Sequence, residues 1–388
     1  MGACFLLSDI LGDLMDIFVF KDPGTSFLLS EGKLVSDIKS IMWIERYRDA
    51  GEFTIKARID SDIRNELPIG ACIAHTNSDT VMLVENQEIN EQGQGDLEIS
   101  VTGRSIETIL DQRTIGQNNT WPATSYPIPD YLLAADYTWN QAVLMIKHHL
   151  IPGSTIDAND AVQGLLANHD VPAGTSGQQV ARIIKPGSVY AAILELLASD
   201  SLGIRAIRPG PWSPMPSNPE VLIQVHKGTD RTKTVIFSNA SGDIDNADYL
   251  WSNKKFKNCA LVMGRWVDIM IKATTTDQIG RNRRVLYVEA GDIDQAFSAP
   301  PTGSDLTNVQ AALTNRGYQA LAAQRQVALA KAQAARNLKT YLYRKDFFVG
   351  DIVTVNGEYN ETTTMRVTEY VEIWDEHGES GYPTFSDA

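Results

Sequence analysis

The chain has 388 residues, of which 43% are hydrophobic and 21% charged, which excludes long disorder and exceeds what one small core needs. Net charge is −14, and no basic stretch interleaves cations with aromatics as nucleic-acid-binding modules do, so duplex-specific DNA binding is not expected. The cysteines Cys4, Cys72 and Cys259 are odd in number and far apart, which leaves neither a disulfide framework nor a CxxC metal knuckle and fits a reducing compartment.

The N-terminus, "MGACFLLSDILGDLMDIFVF", is apolar but carries Asp9, Asp13 and Asp16 and no early cation, so it fails as a signal peptide. Leu6 stands where a myristoylation signal needs Ser or Thr, and no apolar run reaches the roughly 20 residues of a membrane helix. From Asp16 to Thr102 the segments "DIFVF", "SFLLS", "SIMWIE", "EFTIKARI", "ACIAHT", "TVMLVENQEI" and "DLEISVTG" alternate as strands, with turns at "KDPG", "LPIG" and "EQGQG". Such a series predicts a β-barrel or sandwich. "ERYRDAGEF" reads as a hairpin corner in which Gly51 takes a positive φ.

At "VTGRSIETILDQRTIG" the period changes to helical, with Ser105 as cap, and a domain boundary falls near Gly103. Residues 117–135 form an irregular connection. Helices are predicted at "WNQAVLMIKHHL", "ANDAVQGLLAN" and "GSVYAAILELLASD", and strands at "LGIRAI", "EVLIQVHKG", "KTVIFS", "CALVMGRWVDIMI" and "RRVLYVEA". The proline-rich "RPGPWSPMPSNPE" reads as an exposed hairpin loop. Asp305 to about Lys339 reads as helix, free of Pro and rich in Ala and Gln, and "DFFVGDIVTVNG" with "TTMRVTEYVEIW" forms a final hairpin. The expected fold class is mixed α+β, mainly β. The expected units are a barrel at 1–103, an α/β domain at 104–210, a second barrel at 211–304 and 340–388, and a helical insertion at 305–339.

Residues that carry chemistry are scarce. The histidines His75, His148, His149, His169, His226 and His377 show no HExxH or other zinc spacing. GxSxG, a P-loop and a complete GxGxxG are all missing, and the two SxxK matches at Ser36 and Ser252 lack companion motifs. "GDIDNAD" and "GDID" read as Asp-rich turns rather than calcium loops. No catalytic residue, cofactor or metal is therefore assigned. Carboxylate pairs of a glycosidase need no fixed spacing and stay open.

Charge is segregated along the chain. Residues 254–284 carry +6, residues 305–345 carry +6 and residues 346–388 carry −9. Opposite blocks on one chain point to subunits that meet in a fixed register.

Five short patterns occur in order. W-x-E-R-Y-x-x-x-G-x-F falls on Trp43, Glu45, Arg46, Tyr47, Gly51 and Phe53, and V-x-G-R-S-x-x-x-I-L-x-x-R on Val101, Gly103, Arg104, Ser105, Ile109, Leu110 and Arg113. G-x-D-R-T covers Gly228, Asp230, Arg231 and Thr232. K-N-x-x-x-V-x-G covers Lys257, Asn258, Val262 and Gly264, and G-D-I-V-x-V runs from Gly350 to Val355. Over about residues 15–375 the chain resembles the tail-tip hub family of siphoviruses, the tail-associated proteins, which are similar to the baseplate hub of contractile-tailed phages.

The resemblance implies two tube-like antiparallel barrels per subunit, with an α/β domain and a helical insertion outside. A homotrimer would close a ring of six barrels around a lumen through which DNA passes without specific binding. It implies as partners a distal tail protein ring, the tape measure protein and tail fibre or receptor-binding proteins. No stable membrane insertion is expected, and the virion tail tip, assembled in the host cytoplasm, would be its location. The interface residues expected on this basis are Trp43, Arg46, Arg48, Arg104, Arg113, Arg231, Lys254, Lys255 and Lys257, with Arg46 and Arg48 facing carboxylates. Relatives with long extensions carry a peptidoglycan hydrolase or receptor-binding module, for which the sequence after the final hairpin leaves no room. The competing readings are a cell-wall hydrolase and a carbohydrate-binding protein using Trp121, Trp212 and Trp251.

Overall fold

The computed structural model describes residues 16–387 apart from 21–25, 30, 59–61, 93–95, 116–130, 176–178, 185, 199, 211–218, 253, 255, 272–278, 295–296, 323, 325–326, 335–339 and 358–361. The expected turn "KDPG" and the tryptophans Trp121 and Trp212 fall outside these residues. Among the described residues thirteen strands form one sheet. Its middle is built where strand Ile38–Arg46 pairs antiparallel with Glu52–Arg58 on one side and with Thr362–Asp375 on the other. Strands from both ends of the sequence thus share one hydrogen-bonded ladder.

The first half of the sheet wraps a cluster containing Ile17, Trp43, Phe53, Ile55, Ile73, Met82 and Val101. These positions alternate along their strands, so each strand buries one face as the period-two pattern requires. The second half wraps Tyr47, Phe237, Phe347, Val353, Val355, Met365 and Phe385. Among the described residues the pairing is open, with strands Ile244–Ser252 and Lys33–Leu34 at its two ends, and no circle of strands closes.

The region after Ser105 mixes helices and strands, and strand Val221–His226, placed by expectation in a second barrel at 211–304, belongs to its core. A 3-10 turn, Ile106–Gln112, leads into helix Thr138–Leu150 and helix Val189–Ala198, which pack with the sheet Leu165–His169, Val221–His226 and Gly203–Ile207 into the largest apolar cluster. Gly203–Ile207 and Val221–His226 pair antiparallel, so the strands around "RPGPWSPMPSNPE" are a hairpin, although 211–218 lie outside the described residues. A fourth core lies between helix Gly303–Ala322 and a sheet of Cys259–Met263, Asp268–Ile271 and Val285–Glu289. Gly317 permits this packing, since a Cβ there would lie 2.2 Å from Ile271 Cδ1.

Four expectations are corrected. The helix that begins at Gly303 ends at Ala322, and Val327–Ala334 is a strand between Ile244–Ser252 and Gly378–Asp387. Ladder bonds to two neighbours outweigh the helix preference of its Ala and Gln residues, worth only tenths of a kcal/mol each. "ANDAVQGLLAN" is a 3-10 turn, Ala158–Asp160, followed by strand Leu165–His169. Of "GDIDNAD" only the start is a turn, for Ile244–Ser252 is a strand. Gly51 does not take a positive φ. It is required because a Cβ would lie 2.6 Å from the carbonyl oxygen of Ile44 across the hairpin.

Candidate functional site: the charged seam of the sheet

Glu45 lies two residues beyond Trp43 and so shares its strand phase, at the point where the apolar phase leaves the first core. Opposite it, Tyr370 pairs with Glu45 and Glu372 with Trp43. Arg344 reaches this seam from the turn before Phe347. Its φ of 63° is a left-handed conformation that few side chains adopt, and one expected at sites where position matters. The guanidinium donates from Nη1 to Glu372 Oε1 at 2.7 Å, and from Nη2 to Glu372 Oε2 at 3.0 Å and Glu45 Oε1 at 2.8 Å.

The remaining valences of the two carboxylates are also met. Tyr343 donates its hydroxyl to Glu45 Oε2 at 2.5 Å, Ser78 Oγ donates to Glu45 Oε1, and Trp43 Nε1 lies 3.4 Å from the same oxygen. His75, fully buried, accepts from the Asn77 amide at Nδ1, which leaves its Nε2 proton for Glu372 Oε2 at 3.2 Å. That is the neutral imidazole. Burial lowers the His75 pKa more than Glu372 raises it, in agreement with this tautomer. Burial alone would raise Glu45, but Arg344 and the hydroxyls of Ser78 and Tyr343 outweigh it and bring the carboxyl down to about 2. Glu372 is lowered in the same way, and the Arg344 cation is held well above its usual range.

Beside the seam is a cavity of about 310 Å³ whose walls include Glu45, Asn77, Ser105, Glu107, His226 and Arg344. Glu107 is 2% exposed; Oε1 accepts from Ser105 Oγ at 2.5 Å, while Oε2 has no hydrogen-bond partner. Burial pushes its carboxyl up to about 7, against the lowering effect of Ser105. His226 Nε2 is likewise without a partner, and burial holds that ring well below its usual pKa.

The recurring patterns meet one another. Ser105 Oγ accepts from the Gly51 amide at 2.8 Å, which joins the first two. Asp351 accepts from Arg231 Nε at 2.6 Å and the Thr229 amide at 2.7 Å, which joins the third and fifth. There Gly228 lies so near Gly350 that a Cβ would be 1.8 Å from the Gly350 carbonyl oxygen.

The expected interface residues divide. Trp43 is fully buried in the first core, stacked at 6.1 Å on Phe53 and edge-on at 4.7 Å to His75, so its ring offers no surface to a neighbour. Arg46 does face carboxylates, but they are Glu369 at 2.7 Å and Glu52 of its own chain. Arg48 is exposed, with its guanidinium 6.0 Å from the Tyr47 ring centre, and Arg104 makes a two-point pair with Glu85 at 2.8 Å. Arg113 pairs with Asp160 at 3.4 Å and Arg231 with Asp351. Lys254 is exposed, Lys257 is half-buried and donates its amide to Gln324, and Lys255 lies outside the described residues. The seam residues His75, Arg344 and Glu372 and the cavity residue Glu107 were not anticipated. The one local signal was a charge, Glu45, in the apolar phase of a strand. Among the described residues no three His, Cys, Asp or Glu side chains are grouped to hold a metal, and no helix is long and apolar enough to cross a membrane.

Among curated proteins none matches the chain. Its fold is similar to three solved structures. The 43 kDa tail protein of prophage MuSo2 from Shewanella oneidensis is 11% identical with a TM-score of 0.58, over 96% of this chain and 98% of that one. The tail protein from Neisseria meningitidis MC58 is 12% identical with a TM-score of 0.55, over 96% of both chains. Prophage tail protein gp18 from Listeria monocytogenes EGD-e is 11% identical with a TM-score of 0.52, over 96% of this chain and 94% of that one. The family model described as Siphovirus ReqiPepy6 Gp37-like protein matches residues 28–385, and the chain therefore belongs to that family of siphovirus tail proteins.

Proposed function

We propose that the protein is a structural hub subunit of a phage tail tip, three copies of which close a ring that continues the lumen of the tail tube. The observation that carries this reading is one sheet with two separate apolar cores, as two linked tube-like segments per chain would require. Three chains then supply six segments. Family membership over residues 28–385 supports the same role. The ring would join a distal tail ring and the tape measure protein to receptor-binding components, in a virion assembled in the host cytoplasm. DNA sliding through it must not be held by phosphate-paired cations, so the −14 balance belongs on the inner wall and the basic stretches on protein-facing surfaces. Light scattering and electron microscopy of the purified protein, alone and with tail-tube proteins, test this. A trimer with a central channel is expected, and a chain that stays monomeric and joins no ring overturns it.

A second reading, a cell-wall hydrolase, draws on Glu107, a buried carboxyl raised to about 7 in the wall of a cavity. Its natural partner, Glu45, is already engaged by Arg344, Tyr343 and Ser78, which hold it in the seam as a paired carboxylate. The structural role is therefore preferred. Clearing in a peptidoglycan zymogram that disappears with Glu107→Gln would reverse the preference.

A further inference from the structure

Strand Val285–Glu289 stands at the edge of its sheet, paired on one side with Cys259–Met263 and on the other with no strand among the described residues. Which of its backbone groups face outward follows from the hydrogen bonds at its two ends. The Arg284 carbonyl accepts from the Cys259 amide at 3.2 Å, and the Ala290 amide donates to the Met263 carbonyl at 2.8 Å. Bonding alternates along a strand, so Leu286 and Val288 share the inward phase of Arg284 and Ala290, while Val285, Tyr287 and Glu289 aim their amides and carbonyls outward. An open edge of this kind is a template for another strand.

The side chains of the outward residues form a series. Arg283 is itself extended, with φ −73° and ψ 119°, so Arg283, Val285, Tyr287 and Glu289 lie on one phase of the chain. Their face is the one opposite helix Gly303–Ala322, on which Leu286 and Val288 pack. All four are exposed, Val285 by 38% and Tyr287 by 62%. Among the described residues neither Arg283 nor Glu289 has an ion-pair partner. Asn258 fixes the entry to the strand, donating Nδ2 to the Asn282 carbonyl at 2.9 Å and accepting from the Arg284 amide at 2.9 Å. The series runs cation, aliphatic, aromatic, anion. Set antiparallel to its own copy, it brings unlike charges together at both ends and apolar groups together between them.

We propose that this edge binds the same edge of a second copy of the chain, antiparallel about a two-fold axis at Leu286, with Arg283 opposite the partner's Glu289 and Val285 opposite the partner's Tyr287. The register is selected twice. A slip by one residue sets outward groups against inward ones and loses the hydrogen bonds, and a slip by two keeps them but places Arg283 opposite Tyr287 or Gly291 instead of a carboxylate. Main-chain bonds supply the attraction, while the aromatic and β-branched pair and the charge pair, each occurring twice, fix the alignment. The contact does not depend on the ring reading, because neighbours in a ring meet through two different patches and this edge meets itself. A polyanion fits poorly, since Glu289 stands on the same edge as Arg283.

The test uses the full chain in sedimentation velocity and in amide hydrogen exchange over a series of protein concentrations. A concentration-dependent two-fold association is expected, with the amides of Val285, Tyr287 and Glu289 gaining protection as it forms. Arg283→Glu or Glu289→Arg alone should weaken it about tenfold, because like charges then face each other twice, and the two together in one chain should recover most of the loss. Tyr287→Pro removes an outward amide and leaves the ladder to Cys259–Met263 in place, so it should weaken association by at least as much. Thermal unfolding checks that each variant is folded. The charge variants alter only exposed side chains, so they decide the matter even where the proline variant unfolds. Association that ignores the single reversals, or a double reversal that fails to recover, overturns this contact; if the association is a ring, the ring reading stands. A wild type that stays monomeric and joins no ring overturns both. Protection of this strand that appears only with an added tail protein assigns the edge to that protein and overturns docking between copies.

Discussion

Arg344 grips both carboxylate oxygens of Glu372, at 2.7 and 3.0 Å, across a seam where side-chain exposures are 18% and 9%. A planar fork that also reaches Glu45 cannot be replaced by the point charge of lysine.

Arg344→Met should therefore cost about 3–5 kcal/mol, because it strands two buried carboxylates. Urea unfolding measures this. Adding Glu45→Gln and Glu372→Gln to the same variant should recover part of the loss, and an equally unstable triple variant would show that packing, not charge, is at fault.

The seam also predicts acid lability. Glu45 falls from an ordinary 4.5 to about 2 on folding, so the unfolded chain takes up its proton first as pH drops. The stability it contributes is complete above about pH 4.5 and is lost as pH falls toward 2. Arg344→Met should flatten this slope in pH-dependent melting.

Glu107 predicts the opposite slope. Its folded carboxyl keeps a proton up to about pH 7, while the unfolded chain loses it near 4.5. Stability should decline as pH rises through that window, by about 3 kcal/mol at 1.36 kcal/mol per pH unit. Glu107→Gln should remove the decline and be more stable than wild type at pH 8. A wild type whose stability does not fall between pH 4.5 and 7 would contradict the assignment.

Glycine substitutions separate close approach from ordinary loop positions. Gly228→Ala would force a Cβ against the Gly350 carbonyl and break the junction that Arg231 and Asp351 lock, so a loss of more than about 2 kcal/mol is expected. Gly291→Ala meets nothing within 4 Å and should change stability by less than about 0.5 kcal/mol. Equal effects in thermal unfolding would discard the steric argument.

Much of the fold was legible wherever a strand or helix buries one face on its own. The alternation in Ile41, Trp43, Phe53 and Ile55 and the helical runs in Thr138–Leu150 and Val189–Ala198 are local facts with local outcomes. Val327–Ala334 was not legible, because the partners that hold it extended, Ile244–Ser252 and Gly378–Asp387, lie far away in sequence. The seam has the same cause. Glu45 and Arg344 stand 299 positions apart, and nothing around Arg344 marks it as buried. Arg46 shows the converse case, in which the residue type correctly called for carboxylates but could not say whose they were.

The pairing of Ile38–Arg46 with Thr362–Asp375 also bears on how the molecule is made. Ile38–Arg46 can pair early with Glu52–Arg58, but a nascent chain must carry its other edge unpaired through more than 300 residues of synthesis before Thr362–Asp375 emerges, as the 323-position span between Arg46 and Glu369 shows. Pairings this distant fold slowly and leave a template for aggregation in the interval. Premature termination before Thr362 should therefore yield insoluble fragments rather than a soluble first half.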